Sequence, residues 1–576
     1  MSTEDHDGHS ARSTARTEDL AMTISDDPAS PACCAHPYRL LTAILCLGIG
    51  LRLFYFIGVG GHDDISYFNH ALEINDATFN TAYAPGGSFP FRFRVGLIYP
   101  TAWMFRLFGP SEYTAAILPL LNSAGLILLS WWAGRRLNES TGTIAALLMA
   151  TFPLDIIQAT VLLPTPFCAM LTGLSVMLWL TGQDREQLDG RLTTAVVWRY
   201  VLSGLCLGTA YLFRIEAGLF ALFFVCWFLV HRRSLAGIMI ALGTSAVVVG
   251  IENLVYWNLH GELLYRLKAV SGGFAEINSD LSEAISSKKS PMEYIRAIFF
   301  KPVELGVHWV LILPAAAVSF FARGRRRTAL LLWFWPVALY LFFGSWSLSQ
   351  YVPTTKNPRY LMNVSVPGLV LLAGVLSDLI QRHGNLKRLG HIALAGTIAG
   401  SLLLLNLAWI YRWENAGGCR IAADFIRQEA AAGHQEASQP IFAEHYSALI
   451  LKCFLPERDV RAVSIHDRSI GQNGATMSAD EITDGIVVVD EFIIDKYAMD
   501  TGMIAPDYLR TPPIHWRRVY SAPHPQDRFA YPAVRILNLF VGRFMKGPER
   551  SLQTTPVTVY TVTRSEAVTT FSDVRN

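Results

Sequence analysis

The stretch that decides the fold class is residues 38–68, YRLLTAILCLGIGLRLFYFIGVGGHDDISYF. Its first part, Tyr38–Ile57, is apolar and long enough to cross a hydrocarbon core of about 30 Å. Two adjacent carboxylates, Asp63 and Asp64, follow where the chain leaves the lipid. Because burying charge at a membrane boundary is costly, unpaired acids there indicate a function, with a solvated acidic loop as the alternative.

The composition of the whole chain is that of a membrane protein. Hydrophobic residues make up 52% of the 576 and charged residues only 16%, whereas a soluble chain carries more charge. Apolar runs of about 20 residues recur along the sequence. We therefore predict a polytopic α-helical membrane protein. The net charge of +2 does not indicate nucleic-acid binding, because the basic residues cluster between apolar runs.

The eight cysteines show no CxxC or CxxH spacing, so the sequence indicates neither a zinc site nor a redox pair. Cys419 and Cys453 both lie beyond the last apolar run. In an oxidising compartment they are candidates for a disulfide, although their spacing does not decide whether the two sulfurs can meet.

The basic loops predict a topology with eleven membrane spans. Residues 1–37 are polar and are predicted to be a disordered cytoplasmic tail, and Arg39 places the amino terminus inside. Val95–Phe108 is short and is interrupted by Arg106, so we interpret it as an interfacial helix. The spans are predicted near Tyr38–Ile57, Tyr113–Ala133, Thr141–Ile156, Pro166–Leu180, Ala195–Phe213, Ala217–Val230, Leu235–Tyr256, Leu305–Phe321, Leu330–Gly344, Tyr360–Ile380 and Ile392–Tyr411.

This arrangement places every Arg/Lys-rich loop in the cytoplasm and the carboxyl terminus outside. Residues 38–413 then form the membrane domain, and residues 414–576 form an extracytoplasmic mixed α/β domain. In that domain we predict a helix over Cys419–Ala432 and strands at 440–442, 460–465, 485–489 and 557–562. It contains no HExxH or GxSxG motif, so a second active site is not indicated.

Four groups of ionisable residues are predicted at the outer face: Asp63 and Asp64 with Tyr67; Arg92 and Arg94 in Phe91–Arg94; Asp155 with Arg214 and Glu216; and Lys356 with Arg359 and Tyr360. Arginine side chains suit phosphate oxygens, and carboxylates can activate a hydroxyl group. We expect Phe91–Arg94 to be extended, with both guanidinium groups on one side, either binding phosphate or anchoring the interfacial helix. Arg214 and Glu216 are expected to pair with each other.

Arg52, near the outer end of the first span, has two interpretations. It either extends to the outer interface or meets a phosphate group there.

Several motifs, in the same order, resemble those of the GT-C superfamily of membrane glycosyltransferases, in particular the branch of protein O-mannosyltransferases and the lipid A aminoarabinose transferase. The resemblance covers about 38–413. It consists of an Asp-Asp-x-x-Tyr sequence at Asp63–Tyr67, a Leu-Phe-Gly-x-Ser-Glu turn at Leu107–Glu112, a Gly-Leu-x-x-Gly pattern ending in Arg-x-Glu at Gly204–Glu216, and an Arg-Tyr pair before a span with Pro367.

Two departures from the family pattern are visible. The family has Leu-Pro-Asp after the third span, whereas this chain has Leu163-Pro164-Thr165. Asp155 would be the substitute for that second acid. The segment Phe91–Arg94 also replaces a Pro-Pro pair common before the interfacial helix.

The resemblance implies transfer of a sugar from a polyprenyl-phosphate donor to an extracytoplasmic glycan, lipid or protein at the inner (plasma) membrane. It also implies inversion at the anomeric carbon, the usual outcome in that family. A carboxylate of Asp63 or Asp64 would be the general base, with Asp155 as the second acid. Arg92, Arg94, Lys356 and Arg359 would bind the donor phosphate. Tyr67, Arg214, Glu216 and Tyr360 would support the site.

The resemblance also allows a divalent cation, magnesium or manganese, on Asp63 or Asp64, because hard cations prefer oxygen ligands. Two other functions stay open. A polyprenyl-linked sugar flippase should show ionisable residues in mid-span or repeated halves. A non-catalytic cell-envelope assembly factor would use the outer domain for binding.

Overall fold

The computed structural model describes residues 36–61, 63–81, 91–232, 235–270, 290, 292–300, 302–322, 324–345, 356–433, 438–467, 472–495, 505–524 and 556–563. The predicted amino-terminal tail up to residue 35, His62 and residues 271–289, between the spans predicted at Leu235–Tyr256 and Leu305–Phe321, lie outside these residues.

Helices dominate the part of the chain up to residue 431. Their bounds are α1 His36–Phe54, α2 Asp63–Asn75, α3 Val95–Phe108, α4 Glu112–Arg135, α5 Glu139–Ala150, α6 Pro153–Gln158, α7 Pro164–Asp189, α8 Thr194–Phe213, α9 Ala221–His231, α10 Leu235–His260, α11 Met292–Phe299, α12 Gly306–Val318, α13 Arg325–Phe343, α14 Met362–Gln381 and α15 Asn385–Ala431. Short 3-10 helices cover Phe91–Phe93, Ile215–Phe220 and Pro358–Leu361.

Six helical segments in the described part of the chain are long and apolar enough to cross a membrane: Glu112–Arg135, Pro164–Asp189, Thr194–Phe213, Leu235–His260, Pro358–Gln381 and Asn385–Asn406. The predicted spans all fall on helices, but the count of eleven stays a prediction. Of these six segments, Pro358–Gln381 is the most enclosed, with 78% of its most apolar stretch buried, so it lies at the centre of the bundle.

The helix α3 keeps the bounds predicted for the interfacial segment, Val95–Phe108. Its 14 residues span only about 21 Å, less than a hydrocarbon core of about 30 Å. Arg106 in its last turn donates to the Asn75 side chain at the end of α2. The two short helices therefore pack together on one side of the bundle.

The basic loops meet at one end of the bundle. Arg136 pairs with Asp184 at 2.6 Å, and Arg327 pairs with Asp378. Arg326 donates to the backbone oxygen of Arg136, which lies in a different loop, at 2.8 Å. The loops that are predicted to be cytoplasmic are thus neighbours in space.

The last apolar segment and the helix predicted at Cys419–Ala432 form one continuous helix, α15. At 47 residues it is about 70 Å long, more than twice the thickness of a hydrocarbon core. Its carboxyl-terminal half therefore leaves the bundle and enters the α/β unit.

The carboxyl-terminal part contains a five-stranded mixed sheet in the order β2-β1-β5-β7-β6. The bounds are β1 Ile441–Ala443, β2 Val460–Ala462, β5 Gly485–Asp490, β6 Arg517–Pro523 and β7 Pro556–Val562, and β3 Ser464–Asp467 pairs with β4 Gln472–Thr476 in a separate hairpin. β1 is parallel to β2 and β5, whereas β7 is antiparallel to β5 and β6. The helices α16 His445–Phe454 and α17 Asp507–Arg510 complete the unit. Mixed α/β structure agrees with the sequence prediction, which missed β4 and β6.

The disulfide considered for Cys419 and Cys453 is wrong, because both are buried free thiols. Their sulfurs face different carbonyl groups, those of Ser447 and Leu449 respectively. Burial raises the pKa of both thiols, so the neutral form is favoured.

Candidate functional site

The acidic stretch that follows the first span begins a helix. Asp63 and Asp64 form the first turn of α2, where the positive end of the helix dipole favours carboxylates. The preceding Gly61 has φ +77°, and a Cβ atom there would lie 2.9 Å from the Asn415 side chain. Glycine is therefore required where the loop turns against α15.

The two carboxylates have different surroundings. Asp63 is about a quarter exposed and pairs with Arg359 at 2.5 Å. Asp64 is buried, and its Oδ2 accepts from the backbone N–H of Gly60 at 2.7 Å. The helix start thus presents one reachable carboxylate and one enclosed carboxylate.

A second cluster is centred on the buried Arg214, at the end of α8. Its guanidinium binds Glu216 through Nε at 3.2 Å and through Nη2 at 2.5 Å, which confirms the predicted pair. Its Nη1 donates to the Thr165 hydroxyl at 2.7 Å. The guanidinium carbon also lies 4.5 Å from the centre of the Tyr360 ring, a cation–π contact.

Tyr67 lies between the two clusters. It is on the second turn of α2 and is only 2% exposed. Burial raises its pKa to about 12, and the charges of Arg94, Asp63, Arg359 and Arg214 all act on it. The hydroxyl group of Tyr67 therefore stays protonated, and charged residues of both clusters lie close enough to affect it.

The structure corrects the expectation for Phe91–Arg94. Phe91–Phe93 is a 3-10 helix, not an extended segment, so the two arginines contact different parts of the protein. Arg92 donates to the backbone oxygen of Asn80 at 2.8 Å. Arg94 is buried, donates to the Phe213 oxygen and lies 3.9 Å from Glu216, and its burial lowers its pKa. Only Arg94 joins the Arg214 cluster.

Asp155 lies on α6 and pairs with Arg52 of α1. It is fully buried, and its Oδ2 accepts from Arg52 and from the Ser123 hydroxyl. Arg52 is also fully buried and caps the carbonyl groups of Gly48 and Ala150, so both interpretations of Arg52 as an interface or phosphate residue are wrong. The role of Asp155 as a second acid stays a prediction, and the structure does not bring it together with Asp63.

Lys356 precedes the 3-10 helix that carries Arg359. It is buried, and this burial lowers its pKa to about 8. Lys356 is therefore close enough to neutrality to lose its charge in mildly alkaline solution.

The described residues do not fit a bound divalent metal. Among them there is no group of three or more His, Cys, Asp or Glu side chains placed to hold an ion. Asp63, one of the two carboxylates considered, is paired with a guanidinium group.

No protein-family model matches the sequence, and no curated protein matches it. Solved structures do match. ArnT from Cupriavidus metallidurans, in the structure bound to undecaprenyl phosphate, aligns with a TM-score of 0.56 over 92% of this chain and 98% of that chain, at 15% identity. The oligosaccharyltransferase from Archaeoglobus fulgidus tethered with an acceptor peptide aligns with a TM-score of 0.54 over 91% of this chain and 88% of that chain, at 12% identity.

The chain has the GT-C fold. At these identities the match shows the fold alone, and it extends over the α/β unit as well as the bundle because nearly the whole chain is aligned.

Three residues of this GT-C fold were not identified from the sequence. Thr165 was noted only as a departure from a motif, although its hydroxyl binds Arg214. Gln158 lies beside Asp64, and Arg420 of α15 binds Glu112 at 2.5 Å. The motif at Leu107–Glu112 drew attention to Glu112, but no local sequence pattern indicates Arg420 as its partner.

Proposed function

We propose that this protein is a membrane glycosyltransferase that moves a sugar from a polyprenyl-phosphate donor to an extracytoplasmic acceptor. The supporting observation is the contact between Asp63 and Arg359, which joins a reachable carboxylate to a guanidinium group next to the buried Arg214 cluster. General-base catalysis needs such a carboxylate, and a phosphate leaving group needs such cations.

The position of the site supports the same function. Arg214, Thr165 and Arg359 lie at the ends of helices whose opposite ends carry the basic loops. If those loops are cytoplasmic, the site faces the extracytoplasmic side. We propose that the protein lies in the inner (plasma) membrane, with residues 1–37 cytoplasmic, 38–413 as the catalytic membrane domain and 414–576 outside.

In the proposed reaction the acceptor hydroxyl attacks the anomeric carbon of the donor. Asp63 takes the hydroxyl proton, a new carbon–oxygen bond forms, and the bond from the anomeric carbon to the phosphate oxygen breaks with inversion. The polyprenyl phosphate leaves with the electron pair. Arg359 stabilises the developing negative charge, because a fixed guanidinium in a water-poor site needs little reorganisation.

The buried cations form a fixed positive surface around this step. Arg214 and Glu216 nearly neutralise each other, so Arg94 supplies the additional positive charge of that cluster. Lys356 would add charge below a pH of about 8. We propose Arg94, Arg359 and Lys356 as donor-phosphate ligands, with Arg92 more remote.

The test uses the native host. A deletion strain is complemented with the wild type, Asp63→Asn or Asp64→Asn, and the envelope glycans and glycoproteins are compared by mass spectrometry. We expect the deletion to remove one sugar mass, the wild type to restore it, and Asp63→Asn to lower turnover by about 10²–10⁴-fold at normal membrane levels. Full activity of both variants would contradict the mechanism.

Purified protein in proteoliposomes separates the alternative functions. A transferase forms a new glycosidic bond and releases polyprenyl phosphate. A flippase moves the lipid-linked sugar between leaflets without breaking that bond, and an assembly factor does neither.

A further inference from the structure

A small cavity lies beside the enclosed carboxylate of Asp64. Its volume is about 20 Å³, which is room for a group the size of one water molecule. Most of its wall is apolar, formed by side chains such as Ile57, Val161 and Leu163. The charged side chains on its wall are Asp64 and Arg359, and Arg359 is the residue that pairs with Asp63. The cavity therefore adjoins the proposed reaction centre.

Gln158 contributes a carboxamide to this wall. The residue is only 3% exposed, and neither its Nε2 nor its Oε1 has a hydrogen-bond partner within the described part of the chain. A buried amide without partners destabilises the fold, whereas an apolar side chain of the same size would not. Such a group calls for an explanation beyond packing.

The helix α6 holds Gln158 in place. This helix begins with Pro153 and contacts α15, and Asp155 anchors it to Arg52 of α1. The helix that carries Gln158 is thus held by α1 and by α15. A preorganised binding group requires such a fixed support.

The chemistry of the cavity favours a neutral hydroxyl group as its ligand. A carboxamide offers a donor and an acceptor, and a hydroxyl group offers the same pair in return. A phosphate group only accepts, and it would be repelled by Asp64. The charges of Asp64 and Arg359 oppose each other, so the cavity has no net preference for an ion.

We propose that Gln158 binds a hydroxyl group of the sugar or of the acceptor in this cavity and thereby contributes to substrate choice. This inference rests on the proposed glycosyl transfer. Sites built to hydrogen-bond a substrate hydroxyl strongly reject analogues that lack it, because the polar group of the site is then left unpaired. Gln158 acts as a specificity-determining residue in the same way.

The first test compares two buried glutamines by thermal unfolding of the purified protein. Gln183 is as buried as Gln158 but donates to the Tyr200 hydroxyl at 2.6 Å. Gln183→Met should lower the melting temperature by a few degrees, because satisfied hydrogen bonds are lost. Gln158→Met should leave the melting temperature unchanged or raise it. A fall equal to that of Gln183→Met would mean a structural role and would overturn the inference.

The second test measures function in the complemented deletion strain and in liposomes. Gln158→Met should reduce formation of the product by about 10–100-fold, and Gln158→Glu, which keeps the acceptor atoms only, should also reduce it. Binding of undecaprenyl phosphate, which carries no sugar, should match the wild type in native mass spectrometry. A loss of that binding would assign Gln158 to the phosphate and overturn the inference.

The outcomes distinguish the two proposals. A wild type that restores the product, together with fully active Gln158→Met, overturns only the inference. A wild type that transfers no sugar overturns both. With product formed, a raised KM for the donor in Gln158→Met assigns the hydroxyl to the transferred sugar, and a raised KM for the acceptor assigns it to the acceptor.

Discussion

Arg214 binds two partners of different charge, the neutral hydroxyl group of Thr165 and the carboxylate of Glu216. The resemblance places an aspartate where this chain has Thr165. Here the hydroxyl of Thr165 accepts from Arg214, and the negative charge comes from Glu216, two residues further along the chain. The cation is therefore satisfied without a carboxylate at 165.

Replacing Thr165 tests that arrangement. Thr165→Val keeps the shape but removes the hydroxyl, so one charged hydrogen bond to a buried guanidinium is lost. We expect the free energy of unfolding to fall by about 1–3 kcal/mol, measured by chemical or thermal denaturation. Thr165→Ser keeps the hydroxyl and is the matched control. Equal stability of the two variants would contradict this role.

At the scale of elements, the long helix α15 holds the loop that precedes α2. Arg420 of α15 donates to Glu112 at 2.5 Å and to the backbone oxygen of Ile57 at 2.8 Å. Ile57 begins the turn that leads to Asp63, and Gly61 in that turn packs against Asn415. The long helix therefore fixes both the loop and the first residue of α4.

Breaking this contact should loosen the loop. Glu112→Gln and Arg420→Met should each lower the free energy of unfolding by roughly 2–3 kcal/mol, because a largely buried charge loses its partner. The double variant should lose less than the sum of the two, as measured in a double-mutant cycle. Arg461→Met, at a half-exposed pair with Asp459, should change stability by less than about 0.5 kcal/mol. Full additivity would contradict a direct contact.

The carboxyl end of β5 provides a prediction about pH. Burial raises the pKa of Asp490 to about 7 from its ordinary 3.8, although the backbone N–H of Ile493 opposes the rise. Between these values the folded state holds a proton that the unfolded state has released. The stabilisation is therefore complete below about pH 4, and it is lost as the pH rises through about 7, by roughly 4 kcal/mol in total.

Asp490→Asn removes that dependence. We expect the melting temperature of the wild type to fall more steeply than that of Asp490→Asn between pH 5 and pH 7. Above about pH 8 the two slopes should agree, because Asp490 is then ionised in both states. The same slope in both proteins over the lower range would contradict the raised pKa.

At the scale of the whole molecule, the structure separates two ends of one bundle. The basic loops contact each other at one end, and the acidic helix start with its buried arginines lies at the other. A concentration of Arg and Lys in the loops at one end is the pattern that the positive-inside rule produces.

Cysteine labelling of intact cells tests the orientation. Thiols introduced at Asn138 and Gly324 should be reached only after the membrane is permeabilised, and one at Gly474 should be reached from outside. Gly86 and Asn278, also predicted outside, fall in parts of the chain that the structure does not describe. External labelling of Asn138 would mean that α3 crosses the membrane.

The sequence by itself determined the elements. Runs of about 20 apolar residues fix helices in a bilayer, because the backbone must satisfy its hydrogen bonds within the segment, and the predicted spans all fall on helices. Local pairs were also predictable, as Arg214 and Glu216 show, because two residues of separation leave little choice of partner.

Only the tertiary structure decided which distant groups meet. Arg52 pairs with Asp155, which is 103 residues away in the sequence, and Arg214 binds Thr165, which is 49 residues away. Nothing in the periodicity of either segment encodes such a pair, because it depends on how helices rotate and pack against each other. The same holds for Arg359 on Asp63 and for Gln158 beside Asp64. The residue types indicate charge and polarity, but only the packing decides whether a group is paired or enclosed.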